Sequence, residues 1–340
     1  MRPFTYQRAD TPSAAMAAFA ASGGDATQNP VQYLAGGTTL IDLMKLDVMR
    51  PEMLVDINAL HDTTLGEIAA GGNGLRLGAM ARMADAAAHP AVRRDYPVIA
   101  QSLELAASQQ LRNMAALGGN VLQRTRCSYF RDTSYAECNK RNPGSGCAAL
   151  NGFNRMHAVL GTSDHCIATY PGDFAQALIA LDAVVEIVSR NGSRTIPFAT
   201  LHRAPGETPQ QETTLAPGDM IAAFSVPAAP WTRRSLYLKI RDRQSYEFAL
   251  ASAAVALDLG DNVVRDVRIA LGGVATVPWR AREAEDALMG RPLDAAALDA
   301  AAQAAFAGAR GSEHNAFKIT LGQQTLARAL RAAAAMEIPT

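Results

Sequence analysis

The sequence predicts an α+β protein in two parts. Up to about residue 229, short apolar runs of strand length alternate with short amphipathic helices; past Pro227 and Pro230 the pattern changes to three closely spaced strands followed by a mostly helical tail. The chain is 340 residues long, 49% apolar and 19% charged, which is the make-up of an ordinary globular protein with room for two domains. Lys+Arg and Asp+Glu balance at 32 each, which argues against nucleic acid or an anionic membrane as the main partner. No apolar run reaches the roughly 18 residues of a membrane span. Met1 to Arg8 has no apolar signal core or small-residue cleavage pattern, so no export address is expected in the chain itself.

Taken in order, Thr11-Pro12-Ser13 followed by Ala14 to Ala21 predicts a capped helix with proline in its first turn, closed by Gly23-Gly24. Val31 to Leu34 predicts a strand. It runs into Ala35-Gly36-Gly37-Thr38-Thr39-Leu40, then a helix from Ile41 to Met49 stopped by Pro51, then a strand from Met53 to Ile57. This is a βαβ-like unit with a glycine turn where strand meets helix. Gly74 to Ala79 reads as a strand, Met83 to His89 as a short helix and Tyr96 to Ala107 as a longer one. Further on, Phe174 to Leu181 predicts a helix and Ala183 to Val188 a strand. Asn191-Gly192 predicts a hairpin turn into Arg194-Thr195-Ile196, and Asp219 to Val226 another strand. In the second part, Leu236 to Ile240, Ala251 to Leu259 and Val264 to Leu271 read as strands, the last closed by Gly272-Gly273, and Arg280 to Ala335 as mostly helix.

All four cysteines, Cys127, Cys138, Cys147 and Cys166, fall in one window with spacing C-x10-C-x8-C-x18-C. The stretch is rich in Arg, Asn, Gly and Pro and has no regular period. Such a long loop needs a function or a cross-link to hold it. Three readings stay open on spacing: zinc, although the short C-x2–4-C knuckle of structural zinc sites is missing; two disulfides; or an iron–sulfur cluster held by four thiolates. The basic residues Arg124, Arg126, Arg131, Lys140 and Arg141 favour a ligand set with net negative charge.

Two glycine pairs flank this chemistry. The first, Gly36-Gly37, offers successive backbone N–H groups to a pyrophosphate, or is simply a tight β–α turn. It is neither G-x-G-x-x-G nor a P-loop, so no Rossmann fold is indicated. The second is Leu117-Gly118-Gly119-Asn120-Val121. Two such turns about eighty residues apart point to one extended ligand clamped by both. Asp173 suits a ribityl or ribose hydroxyl, or the N-cap of the helix starting at Phe174. Lys239, inside an apolar strand, faces a ligand or a carboxylate, or lies on the strand's wet face. His157 and His165 flank Cys166 as ligands, donors or idle loop residues. Asp242, Arg243 and Glu247 read as surface charges. There is no Ser/His/Asp set and no paired carboxylates, so nothing points to a hydrolase.

Ala35 to Leu40, Leu117 to Asn120, Lys239 and Leu271-Gly272-Gly273-Val274 fall in the order that resembles the FAD-binding medium subunits of molybdenum hydroxylases, over nearly the whole chain. Gln123 to Cys127, Cys138-Asn139-Lys140-Arg141 and Pro143 to Leu150 narrow the resemblance to flavin subunits of bacterial periplasmic aldehyde oxidoreductases. In those, as in 4-hydroxybenzoyl-CoA reductases, an inserted loop holds a [4Fe–4S] cluster. The resemblance implies a two-part FAD-binding domain of the vanillyl-alcohol-oxidase (PCMH) type over residues 1–229, with the cluster loop inserted at about 122–168. A smaller C-terminal α+β domain of the CO dehydrogenase flavoprotein type follows over 230–340.

Carried over residue by residue, Ala35, Gly36, Gly37, Thr38, Thr39 and Leu40 wrap the pyrophosphate of FAD, and Gly118, Gly119 and Asn120 complete the clamp. Asp173 meets the sugar-alcohol chain, Lys239 sits by the flavin and Ile221 makes apolar contact. Cys127, Cys138, Cys147 and Cys166 hold the cluster. Ala116 stands where many relatives have Thr. No histidine for covalent attachment is evident, so non-covalent FAD is expected.

The implied role is electron transfer. A large molybdopterin subunit oxidises an aldehyde, a small subunit relays electrons through [2Fe–2S] clusters, and the FAD here passes them to an external acceptor. A heterocycle or aryl-CoA hydroxylase, a docking scaffold without flavin, and a stand-alone flavin oxidase are the competing readings. The expected location is the periplasm, by co-export with a signal-bearing partner, or the cytoplasm.

Overall fold

The computed structural model describes residues 1–20 and 28–338. The first expected helix forms over Pro12–Ala17, capped by the Thr11 hydroxyl, which accepts from the Ala14 N–H at 3.1 Å. Gly23-Gly24, expected to close it, lie outside the described residues.

Three sheets form among the described residues. In the first, β1 (Thr5–Arg8), β2 (Val31–Leu34) and β3 (Met53–Asp56) run parallel in the order β1-β3-β2, with Thr5 and Val31 both opposite Met53. Parallel neighbours cannot be joined by a hairpin, so crossover segments carrying Pro12–Ala17 and Leu40–Lys45 connect them. The second of these helices stops before the expected Met49. Asp47 turns left-handed (φ 58°), and the Val48 and Met49 N–H groups both fold back to the Leu43 carbonyl, at 3.0 and 3.2 Å.

The second sheet is antiparallel, with β4 (Ile68–Gly71), β5 (Gly74–Gly78), β6 (Val184–Ser189), β7 (Gly192–Pro197) and β8 (Met220–Pro227) in the order β4-β5-β8-β6-β7. The β6–β7 turn is Arg190-Asn191, one residue earlier than the sequence indicates, because Ser189 pairs with Gly192. Glu186 ties three strands: it accepts from Arg76 of β5 at 2.9 Å and from Ser225 of β8 at 2.7 Å.

The third sheet, β9 (Ser235–Ile240), β10 (Ala251–Gly260), β11 (Val263–Gly272) and β12 (Trp279–Arg280), is antiparallel in the order β12-β11-β10-β9. Period-two alternation divides β10 between two cores. Ala254 and Ala256 pack with Ile99, Leu103, Phe174 and Leu178 of the helices Pro97–Glu104 and Phe174–Ala180. Val255 and Leu257 pack with Leu298, Leu326 and Leu330 of the helices Ala295–Ala305 and Phe317–Ala334. The C-terminal sheet therefore lies between helices from both halves of the chain.

Between the helices Leu117–Val121 and Phe174–Ala180 the cysteine stretch contains one short helix, Ser128–Arg131, among its described residues. Side chains tie it to its own backbone. Arg141 donates to the carbonyls of Tyr129 and Phe130 at 2.8 Å each and also to that of Tyr135. Asn139 donates to the His165 carbonyl at 3.0 Å and accepts from the Gly146 N–H at 2.9 Å. The loop is thus ordered without regular structure.

Candidate functional site

A cleft of about 1630 Å³, counting the space open at its mouth, lies between the parallel β1–β3 unit and the five-stranded sheet. All of Ala35, Gly36, Gly37, Thr38, Thr39 and Leu40 line it, as do Gly118, Gly119 and Ile221. The structure therefore brings both glycine turns to one concavity.

They meet because they pack directly on each other. A Cβ at Gly36 would lie 2.0 Å from the Met114 carbonyl oxygen, so the first turn abuts the chain just ahead of the second, which only glycine permits. Arg82 staples the contact. It donates to the Met114 carbonyl at 2.7 Å and to Asn58 Oδ1 at 3.1 Å, while Asn58 donates to the Ala35 carbonyl at 2.9 Å. Gly118 is held against β5 by its N–H bond to the Ala79 carbonyl at 2.8 Å. Gly119 differs: a Cβ there would meet nothing within 4 Å, so its backbone is bare toward the cleft. A bare main chain at this wall suits close approach of a phosphate or planar ring.

Three predicted residues are placed elsewhere. Asn120 is not on the cleft wall, and its Oδ1 is buried with no partner. Asp173 and Lys239 bond each other off the wall, Nζ to Oδ2 at 2.8 Å, with side chains 5% and 1% exposed. The Tyr237 hydroxyl donates to Asp173 Oδ1 at 2.5 Å, and Lys239 donates to the Leu105 carbonyl at 3.1 Å. The carboxylate that satisfies Lys239 is thus Asp173, the other predicted residue.

A third wall was not foreseen. It is the cysteine loop itself, through Gln123, Arg124, Thr125, Lys140, Thr169 and Tyr170, joined by His202 and Glu212 from the segment between β7 and β8. Arg124 and Lys140 reach Glu212 at 2.9 and 3.3 Å. Burial pushes the Glu212 carboxyl up, but the two cations outweigh it and hold it at about 2. His202 donates Nε2–H to the Val121 carbonyl at 3.1 Å; burial holds its pKa at about 4, so the ring is neutral and its Nδ1 is a buried acceptor with no partner. The only sequence signal for this wall was the basic character of the loop.

The four cysteines are free thiols. Cys138 and Cys147 face each other in an antiparallel bridge, and Cys147 and Cys166 share a thiol hydrogen bond. That bond draws the Cys147 thiol well below its ordinary value and raises that of Cys166. Burial drives Cys127 up to about 12. His157 Nε2 lies 3.1 Å from Cys127 Sγ. The expected cage of Cys127, Cys138, Cys147 and Cys166 is not closed: among the described residues no three His, Cys, Asp or Glu side chains form a metal-holding group. Cys127 meets the His157 imidazole and also lies within electrostatic reach of Cys138 and Cys147. The donor chemistry nonetheless suits a thiolate-bound metal: four thiols in one loop, one of them acidic, with the Lys140 charge acting on Cys166.

The fold and cleft define a class. Residues 2–229 match the FAD binding domain in molybdopterin dehydrogenase and residues 236–333 the CO dehydrogenase flavoprotein C-terminal domain, so the chain belongs to the FAD-binding medium subunits of the molybdenum hydroxylases. It is 46% identical to the aldehyde oxidoreductase FAD-binding subunit PaoB of Escherichia coli K12, over 98% of this chain and 99% of that one. It is 26% identical to the glyceraldehyde dehydrogenase medium chain of Sulfolobus acidocaldarius, over 86% and 83%. The solved carbon monoxide dehydrogenase of Hydrogenophaga pseudoflava superposes with a TM-score of 0.75 at 27% identity, covering 98% of both chains. No helix among the described residues is long and apolar enough to cross a membrane.

Proposed function

We propose that this chain is the electron-transferring FAD subunit of a molybdenum-containing aldehyde oxidoreductase, assembled with a large molybdopterin-binding subunit and a small [2Fe–2S] subunit. The cleft carries the reading: two glycine turns pressed together by the Gly36–Met114 contact, with the Gly119 backbone bare between them. The full-length likeness to an aldehyde-oxidising relative favours an aldehyde over a heterocycle or aryl-CoA. When bound, FAD would supply two-electron redox chemistry between the partner subunits and an external acceptor.

The chain's own residues bind and orient. Ala35 to Leu40 with Gly118 and Gly119 hold the pyrophosphate through main-chain amides, and Ile221 packs on the ring system. Asp173 and Lys239, bonded to each other off the wall, and Asn120 beside the second turn support the cleft without lining it. The attachment is non-covalent. The four cysteines hold a [4Fe–4S] cluster, supported by their gathering in one loop and by the basic groups around them. The assembly works in the periplasm after co-export with a signal-bearing partner, or in the cytoplasm.

The test is gentle anaerobic purification of the complex, with flavin, iron and acid-labile sulfide counted per subunit and aldehyde oxidation assayed. One acid-releasable FAD, four extra irons on this chain and aldehyde turnover are expected. A complex without flavin sinks the reading.

A further inference from the structure

Lys318, on the helix Phe317–Ala334, is 0% exposed. Its ammonium donates only to main-chain carbonyls, Met156 at 3.2 Å and His157 at 3.0 Å. No carboxylate pairs with it among the described residues, and the charge acting on it is another cation, Arg155. A buried ammonium without a counter-ion is expensive, and burial with Arg155 draws its pKa down to about 7. The carbonyls it grips belong to the segment that meets Cys127. His157 is 4% exposed, and its Nε2 lies 3.1 Å from Cys127 Sγ. Its Nδ1 is buried with no partner, so the ring's one polar contact is the Nε2 aimed at sulfur. Asn315, from the turn ahead of the same helix, fixes the backbone by donating to the Ala158 carbonyl at 3.1 Å.

We propose that His157 and Lys318 are positioning residues that tune an iron–sulfur cluster on this loop: His157 donates a hydrogen bond to the Cys127 thiolate, and Lys318 locks that imidazole in place and supplies the positive charge behind it. The inference rests on the cluster reading above. It explains why the C-terminal domain buries a lysine against the cysteine loop: its counter-charge is the anionic four-thiolate group. Reduction adds one electron, and so one negative charge, to such a group. A hydrogen bond to its sulfur and a nearby cation favour that step and raise the midpoint potential.

The test is a redox titration of the purified holo-complex followed by electron paramagnetic resonance, with iron and acid-labile sulfide counted in each sample. Wild type is compared with His157→Phe, His157→Gln and Lys318→Met. Midpoints more negative than wild type are expected for His157→Phe and Lys318→Met, with the Gln variant returning toward wild type because its amide can donate to sulfur. Cluster-loaded His157→Phe and Lys318→Met at the wild-type midpoint overturn the proposal. If His157→Phe loses its iron, Lys318→Met decides alone: a lowered midpoint sustains the proposal and an unchanged one overturns it. A wild-type chain free of acid-labile sulfide removes the cluster reading itself, which is distinct from a loaded cluster whose potential ignores both residues.

Discussion

The glycine-walled side and the cysteine-loop side line the same cleft, yet they are held by opposite means. The first is main chain packed on main chain: Gly36 against Met114, Gly118 against Ala79. Each turn sits where a strand or bridge gives way to a short helix. The second is held by side chains: Arg141 on its own loop's carbonyls, and Arg124 and Lys140 on the distant Glu212, 88 residues from Arg124. The difference teaches where each wall is fragile. A backbone wall fails when a Cβ is added, whereas a charged wall fails when a partner is removed or protonated.

The sharpest way to break the first wall is Gly36→Val. Its Cβ cannot fit 2.0 Å from a carbonyl oxygen, so the turns must separate. Loss of bound FAD and destabilisation of about 4 kcal/mol or more are expected, read by flavin absorbance and chemical denaturation. Gly119→Val is the control: with open space around its Cβ it should keep the fold's stability within about 1 kcal/mol while still losing FAD. If both variants lose stability equally, Gly119 is a packing residue too.

For the second wall, Arg124→Ala leaves Glu212 buried with Lys140 alone. A loss of about 3 kcal/mol is expected in denaturant unfolding, with hydrogen exchange rising first in the cysteine loop. Acid should act on the same trio more gently. The folded Glu212 pKa is depressed, so its contribution is complete above the unfolded value of 4.5 and is lost as pH falls toward about 2. The full span is worth on the order of 3 kcal/mol, only part of it lost by pH 3.5. Glu212→Gln should flatten the slope of stability against pH between 4.5 and 2; an unchanged slope would show that other carboxylates set it. The smallest effect is expected at Ser108, whose hydroxyl caps the helix Gln109–Met114 ahead of the second glycine turn. Ser108→Ala should cost about 1 kcal/mol and leave FAD content unchanged.

Much of the glycine wall was legible because its signals are local. A strand, two glycines and a short helix follow one another closely, and steric rules act at that range. Arg82 and Asn58 were not legible, since an arginine and an asparagine in ordinary surroundings carry no sign that they will bridge two turns. The cysteine loop was legible as a loop and as a gathering of thiols. Its side-chain ties were not, because bonds to carbonyls leave no periodic trace. Asp173 and Lys239 were each singled out, but their bond to each other depends on β9 reaching the residue just ahead of the helix Phe174–Ala180.

By itself, the sequence determined the α+β class, the change of pattern near residue 230 and the positions of both glycine turns, because backbone sterics and apolar period act between near neighbours. Only the tertiary structure decided that the turns share one cleft with the cysteine loop, that Asp173 meets Lys239, and that Lys318 is buried against the Met156 and His157 carbonyls. Those pairings join residues from about 66 to more than 160 positions apart, where the cost of burying a charge is set by what the rest of the chain brings beside it.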